Sequence, residues 1–370
     1  MISIERAALA AEAFKIRGAK LQVEVHPRGL IHDTFVVSVE TPEGSQQRFI
    51  LQRINQRVFE RPAALMENVE RVILHLQGKS YPQHLRWRFP ELVPALDGTC
   101  WVESEGQAWR MFRFVENATS IDTVASCDQA VQIGRAFGRF LDAMADFPSG
   151  CLHDVLPAYR NTQKYLDALW HARDEDAWNR AKSAQSELAF IESHVQGAVA
   201  LQALRKSRQM SLRAIHGDTK PNNALLDDRT GNPICVIDLD TVRPGLIIED
   251  MGDCVRDCLS TRPSQDCRYL TSDDLCLIEA IVAGFLAELE AAVDRRELDN
   301  LVMVVESMAL ELGARFLADF LKGDVYFKTD HPDGNLDRAR QQFRLAQRLA
   351  SSKQETQQTV TRIAARRGRD

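Results

Sequence analysis

No apolar run in the 370-residue sequence is long enough to cross a membrane. The N-terminus, MISIERAALAAEAF, has neither the basic start nor the long apolar segment of a secretion signal. With a net charge of −6, the chain has no basic surplus of the kind that binds nucleic acid. These absences predict a cytoplasmic protein whose partners include neither a membrane nor a nucleic acid.

Paired cysteines of the CxxC type are also missing. The eight cysteines are scattered, and Cys254 and Cys258 have a spacing that would place them on one helix face. A metal site could use that spacing, but buried thiols in a reducing compartment are the favoured interpretation.

The first part of the chain, to about residue 115, has the pattern of a small sheet with one inserted helix. Five segments predict strands: VEVHPRG, TFVVSVE, QRFILQRI, GTCWVESE and AWRMFRFV. Pro62 suits a first helical position. The apolar residues that follow it keep helical spacing; they are Leu65, Val69, Val72, Ile73 and Leu76.

From about residue 120 the pattern becomes helical, apart from a short polar stretch near residue 220. Gly134 and Gly138 lie four residues apart in one predicted helix, which would let another backbone approach closely. From Leu336 on, the sequence predicts a long polar helix with a fraying basic end. A strand-rich first part and a helical remainder predict an α+β protein with two lobes.

The polar stretch, IHGDTKPNNALLDDRTGNPICVIDLDT, spans residues 215–241 and contains two short apolar strands around a turn. Asp218 precedes this hairpin-like unit, Asn223 begins it and Asp238 ends it. Phosphoryl transfer needs a carboxylate to orient and deprotonate a hydroxyl, and hard oxygen ligands to hold Mg²⁺ on nucleotide phosphates. Aspartates that cap turns are the alternative for each residue alone, but the joint pattern H-x-D-x-x-x-x-N favours a phosphotransferase site.

This stretch resembles the catalytic segment of the aminoglycoside phosphotransferase and choline kinase superfamily, which has a bilobal protein-kinase-like fold. Three further stretches, FILQRINQRVFERPAALMENVE, ARFLADFLKGDVYFKT and NLDRARQQFRLAQ, resemble the N-acetylhexosamine 1-kinase branch. The resemblance implies a nucleotide-binding lobe at 1–116 with a small antiparallel sheet. It also implies a mainly helical lobe at 117–370, with its catalytic segment at 215–257 and acceptor-binding helices at 300–335.

The resemblance also implies roles for residues of the catalytic segment. Asp218 matches the catalytic base and contacts the substrate, while Asn223 and Asp238 match the ligands of Mg²⁺. Lys220 is a candidate phosphate contact, with a solvated lysine as the alternative. Asp240 could assist the nucleotide site through water, or could cap a turn. His216 and Asp250 match structural residues that brace the catalytic loop.

On the nucleotide side, Gln52 stands where a kinase has its strand-three lysine, and Arg53 is next to it. Successive strand side chains point to opposite faces, so only one of the two can face the cleft. The segment RGLIHDTF predicts a weak phosphate loop with Gly29, His32 and Thr34. The backbone at Phe114 and Val115 would meet the adenine of ATP.

For the acceptor, Arg315 and Tyr326 match family positions that hold the sugar. A structural ion pair of Arg315 with Asp319, one turn further on, is the alternative. The function implied is transfer of the ATP γ-phosphate to the anomeric hydroxyl of N-acetylglucosamine or N-acetylgalactosamine. Two alternatives stay open: an aminoglycoside- or choline-type kinase that acts on another small alcohol, and a kinase-like binding protein without activity. The sequence leaves the oligomeric state open.

Overall fold

A computed structural model describes residues 3–27, 31–42, 44–157, 159–262, 268–289 and 293–367. The protein has the predicted α+β architecture, with an antiparallel N-terminal sheet followed by a helical lobe. Within the described ranges, no helix combines the length and the apolar character needed to cross a membrane.

The N-terminal lobe is a five-stranded antiparallel sheet in the order β1-β2-β3-β5-β4. Alternate apolar residues of its strands pack against a first helix and form a small core. That helix lies before the first strand-like segment, in a stretch for which no helix is predicted from the sequence. The elements are α1 (Ile4–Glu12), β1 (Ala19–Val25), β2 (Asp33–Glu40), β3 (Gln46–Arg53), α2 (Pro62–Gln77), β4 (Val102–Ser104) and β5 (Gln107–Arg113).

Helix α2 begins at Pro62 as predicted, and it buries the predicted apolar stripe. That stripe belongs to the large core of the helical lobe, so α2 connects the two lobes. Strand β5 ends at Arg113, and the next strand already pairs within the second lobe. The lobe boundary at residues 116 and 117 stays a prediction.

The second lobe is helical apart from two small sheets, one of which contains the predicted hairpin. Its elements are β6 (Ala118–Ser120), α3 (Cys127–Ala143), α4 (Thr162–Glu175), α5 (Gln185–Ser193), α6 (Val195–Ala198), α7 (Ala200–Lys206), β7 (Arg213–Ile215), β8 (Ala224–Asp227), β9 (Pro233–Val236), β10 (Arg243–Gly245), α8 (Ile247–Ser260), α9 (Ser272–Glu288), α10 (Arg295–Asp299), α11 (Leu301–Leu321), α12 (Gly334–Ser351) and α13 (Lys353–Arg367).

Helices α3 and α9 pack at close range, as the two glycines of α3 predict. A Cβ atom on Gly138 would lie 2.6 Å from the carbonyl oxygen of Phe285 in α9. Cys127 of α3 and Cys276 of α9 form a disulfide with Cα atoms 6.4 Å apart, so the prediction of buried free thiols is wrong for this pair. Cys254 and Cys258 are buried free thiols. Within the described ranges, no cluster of three or more His, Cys, Asp or Glu side chains is arranged to hold a metal ion.

Candidate active site

The β8–β9 hairpin brings Asn223 and Asp238 to the same end of one small sheet. Ala224 pairs with Val236, and the Ile237 amide donates to the Asn223 carbonyl at 2.9 Å. Residues fifteen positions apart in the sequence thus become neighbours. Asp238 has a left-handed backbone with φ of 63°, which ends the strand and turns the chain.

Asp218 lies beside this pair and is partly accessible, with 17% of its side chain exposed. The Asn223 amide nitrogen donates to the Asp218 carbonyl at 2.8 Å and to its carboxylate at 3.3 Å. Because both donors of an amide lie on its nitrogen, the Asn223 side-chain oxygen points away from Asp218. That oxygen is therefore available to a cation.

The Asp238 carboxylate is accessible in the cleft and has no hydrogen-bond partner among the described residues. Surrounding protein atoms, together with the nearby carboxylates of Asp240 and Asp218, raise its pKa to about 6. Like charges gathered around one open carboxylate favour binding of a cation. A free carboxylate and a free amide oxygen fit Mg²⁺, which takes few protein ligands and completes its shell with phosphates and water.

Lys220 forms an ion pair with Asp218 at 2.8 Å, so it is not a solvated lysine. Burial lowers the pKa of the Lys220 ammonium, but the Asp218 carboxylate more than offsets this, and the net shift is upward. Lys220 therefore stays protonated at the mouth of the site.

Two buried side chains, those of His216 and Asp250, hold the loop that carries Asp218. Asp250, at the start of α8, accepts the backbone N–H groups of His216 at 2.7 Å and Gly217 at 2.8 Å. Burial raises the pKa of Asp250 to about 6 in spite of these bonds. The His216 Nε2 donates to the Ile237 carbonyl at 2.9 Å, which ties the loop to the strand before Asp238. These are the contacts of loop-bracing residues.

Gln52 faces the cleft side of the N-terminal sheet, directly between Thr34 on β2 and Arg110 on β5. Its side-chain oxygen accepts from the Arg110 Nε at 3.0 Å, and its nitrogen lies 3.4 Å from the Thr34 hydroxyl. Arg53 is on the opposite face and pairs with Asp33 at 2.6 Å. The nucleotide contact predicted for Arg53 is therefore not supported, because the strand pleat turns it away from Gln52.

Asp240 and His32 contact each other across the two lobes. The Asp240 carboxylate accepts from the His32 Nε2 at 2.6 Å and from the Arg110 guanidinium at 2.8 Å. Burial opposes ionisation of Asp240, but Arg110 and His32 hold its pKa well below its usual range. The oxygens of Asp240 are engaged by two side chains of the other lobe rather than by a turn, and its assistance to the nucleotide site through water stays a prediction.

Phe114 and Val115 belong to the segment that joins the lobes. The Phe114 amide donates to the Arg48 carbonyl at 3.1 Å, and the Arg48 guanidinium covers the Phe114 ring at 4.0 Å. The Val115 backbone has no hydrogen-bond partner among the described residues, and its contact with adenine stays a prediction. Gly29 of the predicted phosphate loop lies outside the described residues.

Arg160, Asp253, Arg256 and Glu311 form a buried cluster, called the ionic wall, that is connected to the loop carrying Asp218. Arg160 contacts Asp253 at 2.9 Å and Glu311 at 3.4 Å, and all three side chains are almost fully buried. Arg256 contacts Asp253 at 3.0 Å from the other side. The preceding Tyr159 donates its hydroxyl to the Gly217 carbonyl at 2.7 Å, which links the wall to the catalytic loop.

Arg315 lies one turn after Glu311 on α11 and is partly accessible. Its guanidinium stacks between the rings of Tyr165 at 4.8 Å and Phe327 at 5.4 Å, with no hydrogen bond or ion pair to a described residue. The alternative ion pair with Asp319 is wrong. The Asp319 carboxylate instead accepts the backbone N–H groups of residues 325–327, and so fixes the loop that presents Tyr326.

Comparison with known proteins identifies the family. Residues 22–297 match the model of the phosphotransferase enzyme family, which is about three quarters of the chain. The chain belongs to this family.

Solved structures share the fold of this phosphotransferase. The microcompartment-associated aminopropanol kinase is 19% identical with a TM-score of 0.65, and the match covers 95% of this chain and 98% of that one. Aminoglycoside phosphotransferase from Alicyclobacillus acidocaldarius is 18% identical with a TM-score of 0.58, over 94% and 95%. Choline kinase from Cryptosporidium parvum is 14% identical with a TM-score of 0.58, over 95% and 96%.

Two residues of the phosphotransferase site were missed by the sequence analysis, Arg110 and Arg160. Arg110 lies between Trp109 and Met111 in an apolar strand, and a charged residue in such a strand indicates a buried partner. Arg160 follows Tyr159 in a charged, irregular stretch and carries no comparable signal.

The ionic wall gives the first prediction. Asp253→Asn should lower the free energy of unfolding of the phosphotransferase by roughly 3 kcal/mol at pH 7, because it removes the buried carboxylate that both Arg160 and Arg256 contact. The guanidinium groups of Arg160 and Arg256 outweigh burial and lower the pKa of Asp253. A carboxylate with a lowered folded pKa stabilises the fold above its unfolded pKa of about 4, and that stabilisation is lost as the pH falls below it.

Urea unfolding at pH 7 and at pH 3 measures this effect, because pH 3 lies between the unfolded and the folded pKa of Asp253. The difference in free energy of unfolding between the parent and the Asp253→Asn variant should be smaller at the lower pH. Asp273→Asn is the control, since Asp273 is 79% exposed and lies 3.9 Å from Arg262; it should change stability by less than about 0.5 kcal/mol. An Asp253→Asn protein as stable as the control at pH 7 would contradict the assignment.

Proposed function

We propose that this protein transfers the γ-phosphate of ATP to the anomeric hydroxyl of an N-acetylhexosamine and releases a sugar 1-phosphate. Membership of the phosphotransferase family supports the reaction type. The resemblance of three stretches to the N-acetylhexosamine 1-kinase branch supports the acceptor.

The observation that carries the acceptor class is the charge balance around Asp218. The carboxylates of the ionic wall are already paired with arginines, and Asp319 is occupied by backbone N–H groups. Arg315 lies one turn after Glu311 of this wall, and the contacts of its guanidinium among the described residues are to two aromatic rings. A site with paired carboxylates and a free guanidinium suits an uncharged, hydroxyl-rich acceptor better than an amine.

Amine-bearing acceptors are the second candidate. Similar folds belong to an aminopropanol kinase and a choline kinase. A cationic acceptor needs unpaired carboxylates close to the reacting hydroxyl. Asp218 already pairs with Lys220, Asp238 is assigned to Mg²⁺, and the carboxylates of the ionic wall among the described residues are paired with arginines. The third candidate, a binding protein without activity, is disfavoured because Asp218, Asn223 and Asp238 converge with usable oxygens.

In this proposal Asp218 accepts a hydrogen bond from the acceptor hydroxyl and takes its proton as the new O–P bond forms and the bond to the ADP oxygen breaks. Lys220 forms an ion pair with Asp218 and can also contact the transferred phosphate. Asn223 and Asp238 would hold Mg²⁺, which neutralises phosphate charge. Gln52 and Thr34 donate to the phosphates, and the backbone near Phe114 and Val115 binds adenine.

Asp218→Asn tests the catalytic role. The amide keeps the shape of the side chain but removes its basicity, so kcat should fall by about 10²–10⁴-fold while MgATP still binds. Single-turnover phosphorylation, calorimetric MgATP binding and the melting temperature should be measured on one sample. Asp228→Asn, an exposed aspartate of the hairpin turn bonded to Thr119 at 2.6 Å, is the matched control and should keep full activity. An Asp218 variant that turns over within tenfold of the parent would sink the assignment.

Arg315→Met tests the acceptor class. The methionine keeps an apolar stem between the two rings but removes the charged donor. Loss of a hydrogen bond to a charged group costs about 1.5–3 kcal/mol, so the KM for a neutral sugar should rise roughly 10- to 100-fold with the KM for MgATP unchanged. Arg344→Met, at an exposed arginine of α12, is the control. An acceptor that binds more tightly to the Arg315 variant would point to an amine, because a repelling cation has been removed.

A further inference from the structure

The two lobes meet through a buried polar contact that the reaction described above does not use. It consists of His32 at the start of β2, Arg110 in β5, and Asp240 two residues after Asp238; these three residues are called the inter-lobe cluster. Their exposures are 7%, 2% and 4%. Buried charges are retained only when they are paired, so the geometry of this contact is tightly specified.

The hydrogen bonds of the cluster define the proton position on His32. The Asn55 backbone N–H donates to the His32 Nδ1 at 3.0 Å, so Nδ1 acts as an acceptor. The proton of the neutral ring is then on Nε2, which donates to Asp240 at 2.6 Å. Phe59 stacks on the His32 ring at a centroid distance of 5.5 Å and holds its plane.

Arg110 contacts both lobes at once. Its terminal nitrogens form a two-point contact with the Asp240 carboxylate, and its Nε donates to the Gln52 oxygen at 3.0 Å. An arginine has only donors, so Gln52 must turn its oxygen towards Arg110 and its NH₂ group towards Thr34 and the cleft. Arg110 thus sets the direction in which Gln52 can donate.

Asp240 is the other end of the contact. It lies in the short helical turn Leu239–Thr241, directly after the left-handed Asp238. Fixing Asp240 against the N-terminal sheet therefore fixes the backbone that carries the Asp238 carboxylate. A shift of about 1 Å in such a group is enough to impair positioning of the reacting atoms.

We propose that His32, Arg110 and Asp240 are positioning residues for the nucleotide: they hold Asp238 at a set distance from the phosphate-binding sheet, and Arg110 orients the Gln52 amide towards the phosphates. A neutral amide, oriented by a buried arginine, thereby takes the place of the strand-three lysine and its carboxylate partner. This inference rests on the proposed kinase function, but not on the identity of the acceptor.

The test removes both charges together. Arg110→Met alone should destabilise the protein, because it leaves the Asp240 carboxylate buried without its main partner. The double variant Arg110→Met/Asp240→Leu leaves no unpaired charge in the cluster and should regain most of the lost melting temperature. Its kcat/KM for MgATP should nevertheless stay about 10- to 100-fold below the parent, with most of the loss in KM, as for other supporting contacts around a metal site. Arg110→Lys should be intermediate, since one ammonium cannot hold Asp240 and Gln52 together.

A second buried pair provides the matched control. Arg139 on α3 makes a two-point contact with Glu288 at the end of α9, at 2.9 and 3.0 Å, and neither residue touches the proposed site. The double variant Arg139→Met/Glu288→Leu should keep parent kinetics. If the Arg110/Asp240 double variant regains its melting temperature and has a parent-like KM for MgATP, the inference is wrong.

A replacement variant and a second measurement cover the cases in which the double variant does not fold or the kinase function itself is wrong. If the double variant does not fold, Asp240→Asn replaces it, and a parent-like KM in that variant would equally overturn the inference. The rise in melting temperature on adding MgATP, measured without any acceptor, separates the two proposals. A parent protein that shows no rise would overturn the kinase function together with this inference, whereas equal rises in parent and double variant would overturn the inference alone.

Discussion

The buried acidic face of α8 is the constraint on which the active site depends. One helix buries Glu249, Asp250 and Asp253 almost completely, and Asp257 in part. Burying a carboxylate without partners costs several kcal/mol, so each of these groups needs a hydrogen-bond or ion-pair donor. Some of these donors, Arg160 and Arg205 among them, come from distant parts of the chain, so these contacts bring separate segments together at the site.

Each partner of α8 builds a different part of the site. Asp250 takes the backbone N–H groups of the catalytic loop, which sets where Asp218 can lie. Asp253 pairs with Arg160, which also contacts Glu311 in the ionic wall. Asp240 likewise pairs with Arg110 of the N-terminal sheet. Hydrogen bonds and ion pairs therefore connect the Asp218 loop, the ionic wall and the N-terminal sheet to one helix and one hairpin.

Much of the catalytic segment could be predicted from sequence because its geometry is local. A short hairpin necessarily brings the residue before its first strand close to the residue after its second, so Asn223 and Asp238 become neighbours. The strand pleat likewise predicts that only one of Gln52 and Arg53 faces the cleft, although not which one. The two-lobe organisation could be predicted because the sequence pattern changes from strand to helix periodicity.

Contacts between distant segments were not predictable in the same way. The inter-lobe cluster requires the register of β3 on β5 and the relative placement of the lobes, which no local pattern encodes. The Arg315–Asp319 alternative failed because helical spacing shows only that two side chains can meet. A neighbouring loop with three free N–H groups competes for the same carboxylate and takes it. The Cys127–Cys276 disulfide likewise depends on how α3 packs against α9.

In the proposed reaction, Asp218 directs phosphate from ATP to the anomeric hydroxyl of an uncharged sugar. The most direct measurement follows ADP release with N-acetylglucosamine, N-acetylgalactosamine, ethanolamine, choline and an aminoglycoside at equal concentrations, with the product identified by ³¹P NMR. We expect turnover of an N-acetylhexosamine and a phosphorus signal coupled to the anomeric proton. Turnover of the amines alone, or a phosphate on another hydroxyl of the sugar, would contradict it.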